Sequence, residues 1–408
     1  MPVGFGHNQC MGNQVLVSGG GIGGLAAALA ACRAGWHVSL LEKAAAFSEV
    51  GAGIQLGPNV VRVLHGWGLA QALDAVAAFP EHLDVRSALS GALLGGMRLG
   101  GVIATRYGAP YATVHRADLH GLLLDLVQHS DATLRLNTGL QSFNQTPHDV
   151  TVQMTDNSCL QGNILVGADG LWSTVRQQLL GDGPPRPTGH LAYRALVRQS
   201  ALPEKLRTQN VTVWMGPSMH LVHYPVRRGE WLNVVAFVNG APVDDLQTWD
   251  HSANATELAA ALGGGCAALR DLVLAVPNWR LWVMHDRVPM QGAYQHAQGR
   301  VALLGDAAHP MRPYLAQGAG MAIEDAAELG SALSSVQSHA HDMTTALQHY
   351  AQNRWQRNAR VQARALRNGE IFHADGLLRW GRDTAMKVFG EKLLDMPWLY
   401  GGTTEPRV

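Results

Sequence analysis

Apolar positions along the chain follow two rhythms. Short unbroken apolar runs occur at Val15-Leu-Val, Val38-Ser-Leu-Leu, Ile164-Leu-Val and Val301-Ala-Leu-Leu, and stretches of helical spacing follow them. Runs of that length bounded by glycine predict strands buried on both faces, as in a parallel sheet flanked by helices. From about 181 to 281 the period becomes two, over residues 193 to 197, 211 to 215, 220 to 226 and 231 to 238, which predicts an antiparallel sheet. Residues 84 to 105 alternate in the same way between glycine-rich turns and are expected to form short antiparallel strands. Helices are predicted from Pro58, with Val60, Val61, Val63 and Leu64 as its apolar face, over Leu119 to Leu126 behind Asp118, and from about 343 to 372.

The glycines locate the chemistry. Gly19-Gly20-Gly21-Ile22-Gly23-Gly24 joins the first strand to an alanine-rich helix, and the second strand ends at Glu42. Gly19 permits the turn, Gly21 lets backbone N–H groups approach a pyrophosphate, and Gly24 lets the helix pack close to the sheet. The helix N-terminus then receives the pyrophosphate, and Glu42 is placed for ribose hydroxyls. Two further strands end in an aspartate, at Gly167-Ala168-Asp169-Gly170 and at Gly305-Asp306, where open α/β sheets put ligands. Gly318-Ala319-Gly320 starts a long helix whose first N–H groups are available to an anion or a carbonyl. The glycines of residues 51 to 57 predict backbone passing close to something flat or bulky, or a packed turn.

Composition narrows the partner. The 408 residues are 47% hydrophobic and 15% charged, with Lys+Arg and Asp+Glu both at 31, so no bulk field draws nucleic acid or an anionic membrane. No apolar stretch is long enough to span a bilayer. Cys10, Cys32, Cys159 and Cys266 are scattered, which favours a reducing compartment and argues against a structural zinc; no metal site is expected. The first thirteen residues lack the pattern of a signal peptide and are expected to be a flexible leader.

The three glycine and aspartate motifs, together with Ala307-Ala308-His309-Pro310 after Asp306, occur in the order and spacing of a known family. Over its whole length the chain resembles the single-component (class A) FAD-dependent aromatic hydroxylases, the group of salicylate, 3-hydroxybenzoate and 6-hydroxynicotinate monooxygenases. The resemblance implies an α/β fold in which a Rossmann-type FAD-binding domain (residues 14–75, 102–180 and 282–342) is interleaved with an antiparallel-sheet substrate domain (76–101 and 181–281), followed by a C-terminal helical region (343–408). It implies FAD as the bound cofactor, with NADH or NADPH visiting as a transient electron donor. It puts Glu42 on the adenosine ribose, Arg116 near the pyrophosphate or ribityl chain, and Asp306 on the ribityl hydroxyls. Asp169 falls in a segment that handles FAD and nicotinamide, and Gly318, Ala319 and Gly320 face the flavin pyrimidine edge.

Within the group, Arg106-Tyr107-Gly-Ala-Pro-Tyr111, His220-Leu-Val-His-Tyr224-Pro225 and Tyr314-Leu-Ala-Gln317-Gly318 are similar to bacterial 3-hydroxybenzoate 6-hydroxylases. The likeness implies that Tyr107, His220 and Tyr224 line the substrate pocket, with His220 acting as base on a phenol, Tyr224 assisting and Tyr314 nearby. His220, Val222 and Tyr224 share one face of a strand and His223 takes the other. Pro313 stands where those hydroxylases carry glutamine, and Arg312 beside it either takes a substrate carboxylate bidentately or points to solvent. The Met-Arg-Pro-Tyr stretch is as similar to the 6-hydroxynicotinate enzymes. The implied reaction is transfer of one oxygen from a flavin C4a-hydroperoxide to a phenolic aromatic acid, using NAD(P)H and O2 in the cytoplasm, with a homodimer allowed for. A flavin reductase or oxidase, or an apolar-ligand-binding protein, are the alternatives on this fold.

Overall fold

The computed structural model describes residues 13–47, 52–240 and 251–402. The N-terminal leader and the segment Glu49 to Gly51 lie outside the described residues. Two large sheets organise the rest. The first has six strands in the order Ala297–Gln298, Val301–Leu303, Ile164–Gly167, Gln14–Ser18, His37–Leu41 and Thr133–Arg135. All its neighbours pair in parallel except the first two. Val15, Leu16, Val17, Leu165, Val166 and Leu303 have no exposed surface, because helices or a small sheet cover both faces. Ser18 lies opposite Gly167, and Gly167 opposite Leu303, so three strands finish level. The motifs that follow them therefore gather at one sheet edge.

The helix Ile22–Arg33 packs on the helix Gly318–Gln337 across small residues. A Cβ on Gly330 would sit 3.1 Å from the Ala30 methyl, so the alanines and the glycine set the close approach. The helix Met343–Phe372 covers Gly318–Gln337 in turn.

The second sheet has eight strands in the order His251–Ala253, Trp279–Asp286, Arg186–Arg198, Trp231–Asn239, Met219–Val226, Val211–Gly216, His82–Ser87 and Leu93–Arg98. Its strands are antiparallel except for the join between Val211–Gly216 and His82–Ser87. One face packs against the helices Ala255–Ala261 and Ala267–Ala275, with Leu221, Val234 and Trp279 in that core. The other face meets the C-terminal helices and the first sheet's loops. Coverage on both faces explains why Met219–Val226 is buried at His220 and His223 alike.

Two stretches differ from the periodicity reading. Residues 100 to 107 form a helix, Gly100–Tyr107, and do not continue the strands. It begins at Gly100 with φ +36° and buries only Ile103. Beyond Phe372 the chain adds a second long helix, Gly376–Leu394, which caps the edge strand Leu93–Arg98. Among the described residues no helix is long and apolar enough to cross a membrane.

Candidate active site

The glycine loop is built as a cradle. Gly19 has φ +106°, and a Cβ there would lie 2.5 Å from the Ala168 carbonyl oxygen. A Cβ on Gly24 would lie 1.8 Å from the Gly19 carbonyl oxygen, so helix and loop touch backbone to backbone. Gly21 is the N-cap of Ile22–Arg33 and offers no side chain, leaving the first N–H groups of that helix for a ligand. Glu42 braces the loop: its carboxylate accepts from the N–H of Gly20 at 2.6 Å and of Ala44 at 2.8 Å.

Asp169 turns inward. Its carboxylate accepts from the Ser173 hydroxyl at 2.5 Å and the Val175 N–H at 3.1 Å, so it shapes the start of the helix Thr174–Leu180 while burial raises its pKa. Asp306 is the opposite case. It is exposed, makes no hydrogen bond among the described residues, and its Oδ1 lies 4.0 Å from the Cβ position of Gly318. A free carboxylate beside the first turn of Gly318–Gln337 suits a polyol chain. Gly318, Ala319 and Gly320 expose their N–H groups there, since the backbone ladder begins with Met321 donating to Gln317. Arg116 opens the helix Arg116–Gln128, is half-buried and engaged, and donates its own N–H to Ala52.

The turn carrying Asp306 is held from behind by buried charges. Asp325 accepts from His309 Nε2 at 2.5 Å, Arg354 Nε at 2.7 Å, Asn358 Nδ2 at 2.9 Å and the Gly305 N–H at 3.3 Å. Burial alone would raise its pKa, but the His309 and Arg354 charges outweigh that and hold it well below the carboxylate range. His296, His309 and Asp325 bring ligand atoms within 4.8 Å of one another. His296, however, bonds Leu303 O through Nδ1 and Asn358 through Nε2, and Asp325 is saturated, so the group is an ion-pair brace.

Next to this turn a cavity of about 310 Å³ opens between the second sheet and the C-terminal helices. His220, Tyr111, Gln55 and the loop Pro313 to Ala316 line it, in a wall that is otherwise mostly apolar. His220 is 1% exposed and caged by Phe237 (centroids 4.6 Å apart, stacked), Tyr314 (4.8 Å, edge on) and Phe372 (5.1 Å, edge on). Its Nδ1 meets His373 Nε2 at 2.7 Å, and its Nε2 has no partner among the described residues. Burial keeps both imidazoles neutral: His220 falls well below its ordinary pKa and His373 falls to about 4. The Tyr314 hydroxyl bonds His190 Nδ1 at 2.6 Å, and His190 stacks on His373.

Tyr224, two residues beyond Val222 on the same face, lies under the strand Gly53–Leu56. A Cβ on Gly53 would come within 2.6 Å of its ring, so the bulky neighbour of that glycine is Tyr224. Asn233 fixes the crossing by accepting from the Gly53 N–H at 2.7 Å. Burial raises the Tyr224 phenol, and the Arg194 charge and then Gln55 partly offset this. Gln55 also accepts from Tyr111 at 2.6 Å.

Three expectations are corrected by this geometry, the first being Tyr224, which packs under Gly53 and does not line the cavity. Tyr107 does not line the cavity: it ends a helix, donates to Asp395 at 2.6 Å and packs edge on against Tyr400, while Tyr111 of the same motif faces inward. Arg312 neither lines the cavity nor points to solvent. Its Nε donates to the buried Asp286 at 2.8 Å, an acid it shares with Arg186.

Sequence reading passed over Gln55, Tyr111, His373, Arg194 and Arg364. Arg194 lies 4.0 Å above the Trp282 ring with its Nε unpartnered, and burial lowers it to about 10. Helical periodicity could have found Arg364, which falls three residues after the buried Val361 on a long helix.

A cradle for a pyrophosphate, a free aspartate and a helix N-terminus beside a cavity are the parts of a site for a dinucleotide next to a smaller ligand. A family model described as FAD binding domain matches residues 13–365. The 3-hydroxybenzoate 6-hydroxylase of Polaromonas naphthalenivorans is 39% identical, covering 95% of each chain. The 6-hydroxynicotinate 3-monooxygenase of Bordetella bronchiseptica is 36% identical over 86% of this chain and 89% of its own. Among solved structures, a salicylate hydroxylase substrate complex superposes with TM-score 0.82 at 26% identity, covering 97% of both chains. Klebsiella pneumoniae HpxO complexed with FAD and uric acid gives TM-score 0.82 at 25% identity over 94% of this chain and 95% of that one. The chain belongs to the FAD-binding-domain family, within its FAD-dependent aromatic-ring monooxygenases.

Proposed function

We propose that this enzyme hydroxylates a phenolic aromatic acid of the hydroxybenzoate type, with NADH or NADPH as reductant. The observation that carries the reading is His220, an imidazole with an unpartnered Nε2 in a mostly apolar cavity near the Gly318 to Gly320 helix start. The glycine cradle, Glu42, Arg116 and Asp306 would hold FAD, which when bound would supply the reduction of O2 and the oxygen transfer. The protein's own residues prepare the ring. His220 Nε2 accepts the phenolic proton, which raises electron density ortho and para to the oxygen. As that proton arrives, the Nδ1 proton passes to His373 Nε2, and half-buried His373 opens toward solvent. Phe237 and Tyr314 hold the His220 plane, and Gln55 with the Tyr111 hydroxyl bonded to it forms a polar patch in the wall. The apolar lining excludes water that would divert the reduced oxygen to peroxide. Reductant and substrate of this kind suit a cytoplasmic enzyme.

Oxidation of NADH and NADPH by the FAD-loaded protein tests this, with 3-hydroxybenzoate, salicylate or 6-hydroxynicotinate added, product identified and peroxide counted. Stimulated oxidation with a hydroxylated benzoate and little peroxide is the expected result. Coupled turnover of 6-hydroxynicotinate alone would move the assignment to the pyridine acid, as Pro313 allows. Basal oxidation or peroxide with all of them would overturn it.

A further inference from the structure

Two arginines reach the cavity that His220 lines, Arg364 and Arg382, and they differ in what holds them. Arg382 is committed to the protein. It donates to the carbonyl oxygens of Ile371 and Phe372 and pairs with Asp383, closing the end of the helix Met343–Phe372. Arg364, in the same helix, has neither a hydrogen bond nor an ion pair with any described residue. Its Nε is shielded from solvent without a partner, its charged neighbour Arg367 has the same sign, and burial lowers its pKa. A half-buried guanidinium with a shielded Nε and no partner carries a desolvation cost, and an anion entering the cavity would offset it.

The position is also fixed relative to the base. One helical turn beyond Arg364, Asn368 donates to the Tyr314 carbonyl at 2.9 Å, and the Tyr314 ring meets His220 edge on at 4.8 Å. The cation, on a helix, and the imidazole, on a strand, thus line one cavity, whose wall also includes the apolar Val213, Met215 and Phe372.

We infer that Arg364 is the carboxylate receptor of this enzyme: its guanidinium forks onto the acid group of the aromatic substrate while His220 takes the hydroxyl. This rests on the hydroxybenzoate reading above. It also accounts for Arg312, which does not line the cavity and pairs through Nε with Asp286. An arginine serves here better than a lysine because the planar fork matches a carboxylate bidentately.

The test compares 3-hydroxybenzoate with the uncharged 3-hydroxybenzamide in the FAD-loaded wild type, Arg364→Met, Arg364→Lys and Arg312→Gln. For Arg364→Met, KM for the acid should rise by about 10- to 100-fold, the loss of one charge-assisted contact, while the amide changes by less than about threefold. Arg364→Lys should recover part of the acid preference. With no substrate present, Arg364→Met should melt at or above the wild-type temperature, because a half-buried charge without a protein partner has been removed. A fall in melting temperature with equal loss on acid and amide would make Arg364 structural and overturn the inference. An unchanged acid KM, or an acid-specific loss that appears in Arg312→Gln instead, would overturn it as well. Failure of the wild type to hydroxylate any of the aromatic acids overturns the hydroxylase reading itself, and acid-selective quenching or shift of the flavin spectrum then still reports on Arg364.

Discussion

Two buried polar clusters flank the loop from Gly305 to Gln317, and they solve the problem of burial in opposite ways. Behind the loop, Glu324, Asp325, Arg354 and His309 are buried, and their charges are paired and hydrogen-bonded; Glu324 alone accepts from Arg354, Arg357 and Asn59. In front of it, His220 and His373 have no carboxylate partner and are kept neutral by burial. Paired charges suit a place where backbone must be held still, since losing either partner strands the other. Neutral imidazoles suit a place where a proton must arrive and leave. Burial with paired charges therefore gives a brace on one side, and burial without a carboxylate partner gives a proton acceptor on the other.

The contrast can be broken at either cluster. His220→Ala should cut coupled hydroxylation by about 10²- to 10⁴-fold with FAD content unchanged, the range for loss of a general base; near wild-type product yield would remove His220 from the chemistry. Arg354→Met should cost about 3–5 kcal/mol in urea unfolding, because Glu324 and Asp325 are left unpaired in the interior. A loss below about 1 kcal/mol would mean that the brace contributes little. His373→Gln keeps a hydrogen-bonding side chain but cannot carry the proton onward, so turnover should fall on the order of tenfold. The pH profile of kcat should lose its wild-type shape in that variant, whereas an unchanged profile would separate His373 from proton transfer.

The gentlest test is stability against pH. His373, His223 and His296 titrate at about 4 in the folded protein against an ordinary value of 6.5. Between those values the unfolded chain binds more protons, so stability falls as pH drops from 6.5 towards 4. Asp325 acts in the same sense but in a lower window: its depressed pKa adds stability that is present above the unfolded carboxylate value and fades only below it. Unfolding free energies at pH 7, 5.5 and 4.5 should therefore decline through the histidine window. A flat profile over that span would show that the buried imidazoles are not held neutral.

Much of the cofactor side was legible in the chain itself. Gly19 needs a positive φ and Gly24 a missing side chain, and the strands before Asp169 and Asp306 are short apolar runs; these are local properties that sequence spacing records. Even there, the destination of each carboxylate was not written locally. Asp169 caps its own helix while Asp306 stays free, although both follow a buried strand and a glycine. On the substrate side, Tyr107 and Tyr111 share one motif, but the turn at Gly108, with φ +77°, sends them to different sides of the wall.

What the sequence determined alone was the pair of sheet types, the glycine cradle and the face shared by His220, Val222 and Tyr224, because period, turn chemistry and strand alternation depend on near neighbours. Only the tertiary structure decided which arginine stays unpaired and which histidine joins His220. Asp286 captures Arg312 from 26 residues away, and His373 reaches His220 across 153 residues. Those pairings depend on how a helix that ends at Phe372 docks on a distant sheet, and that docking is set by the whole core.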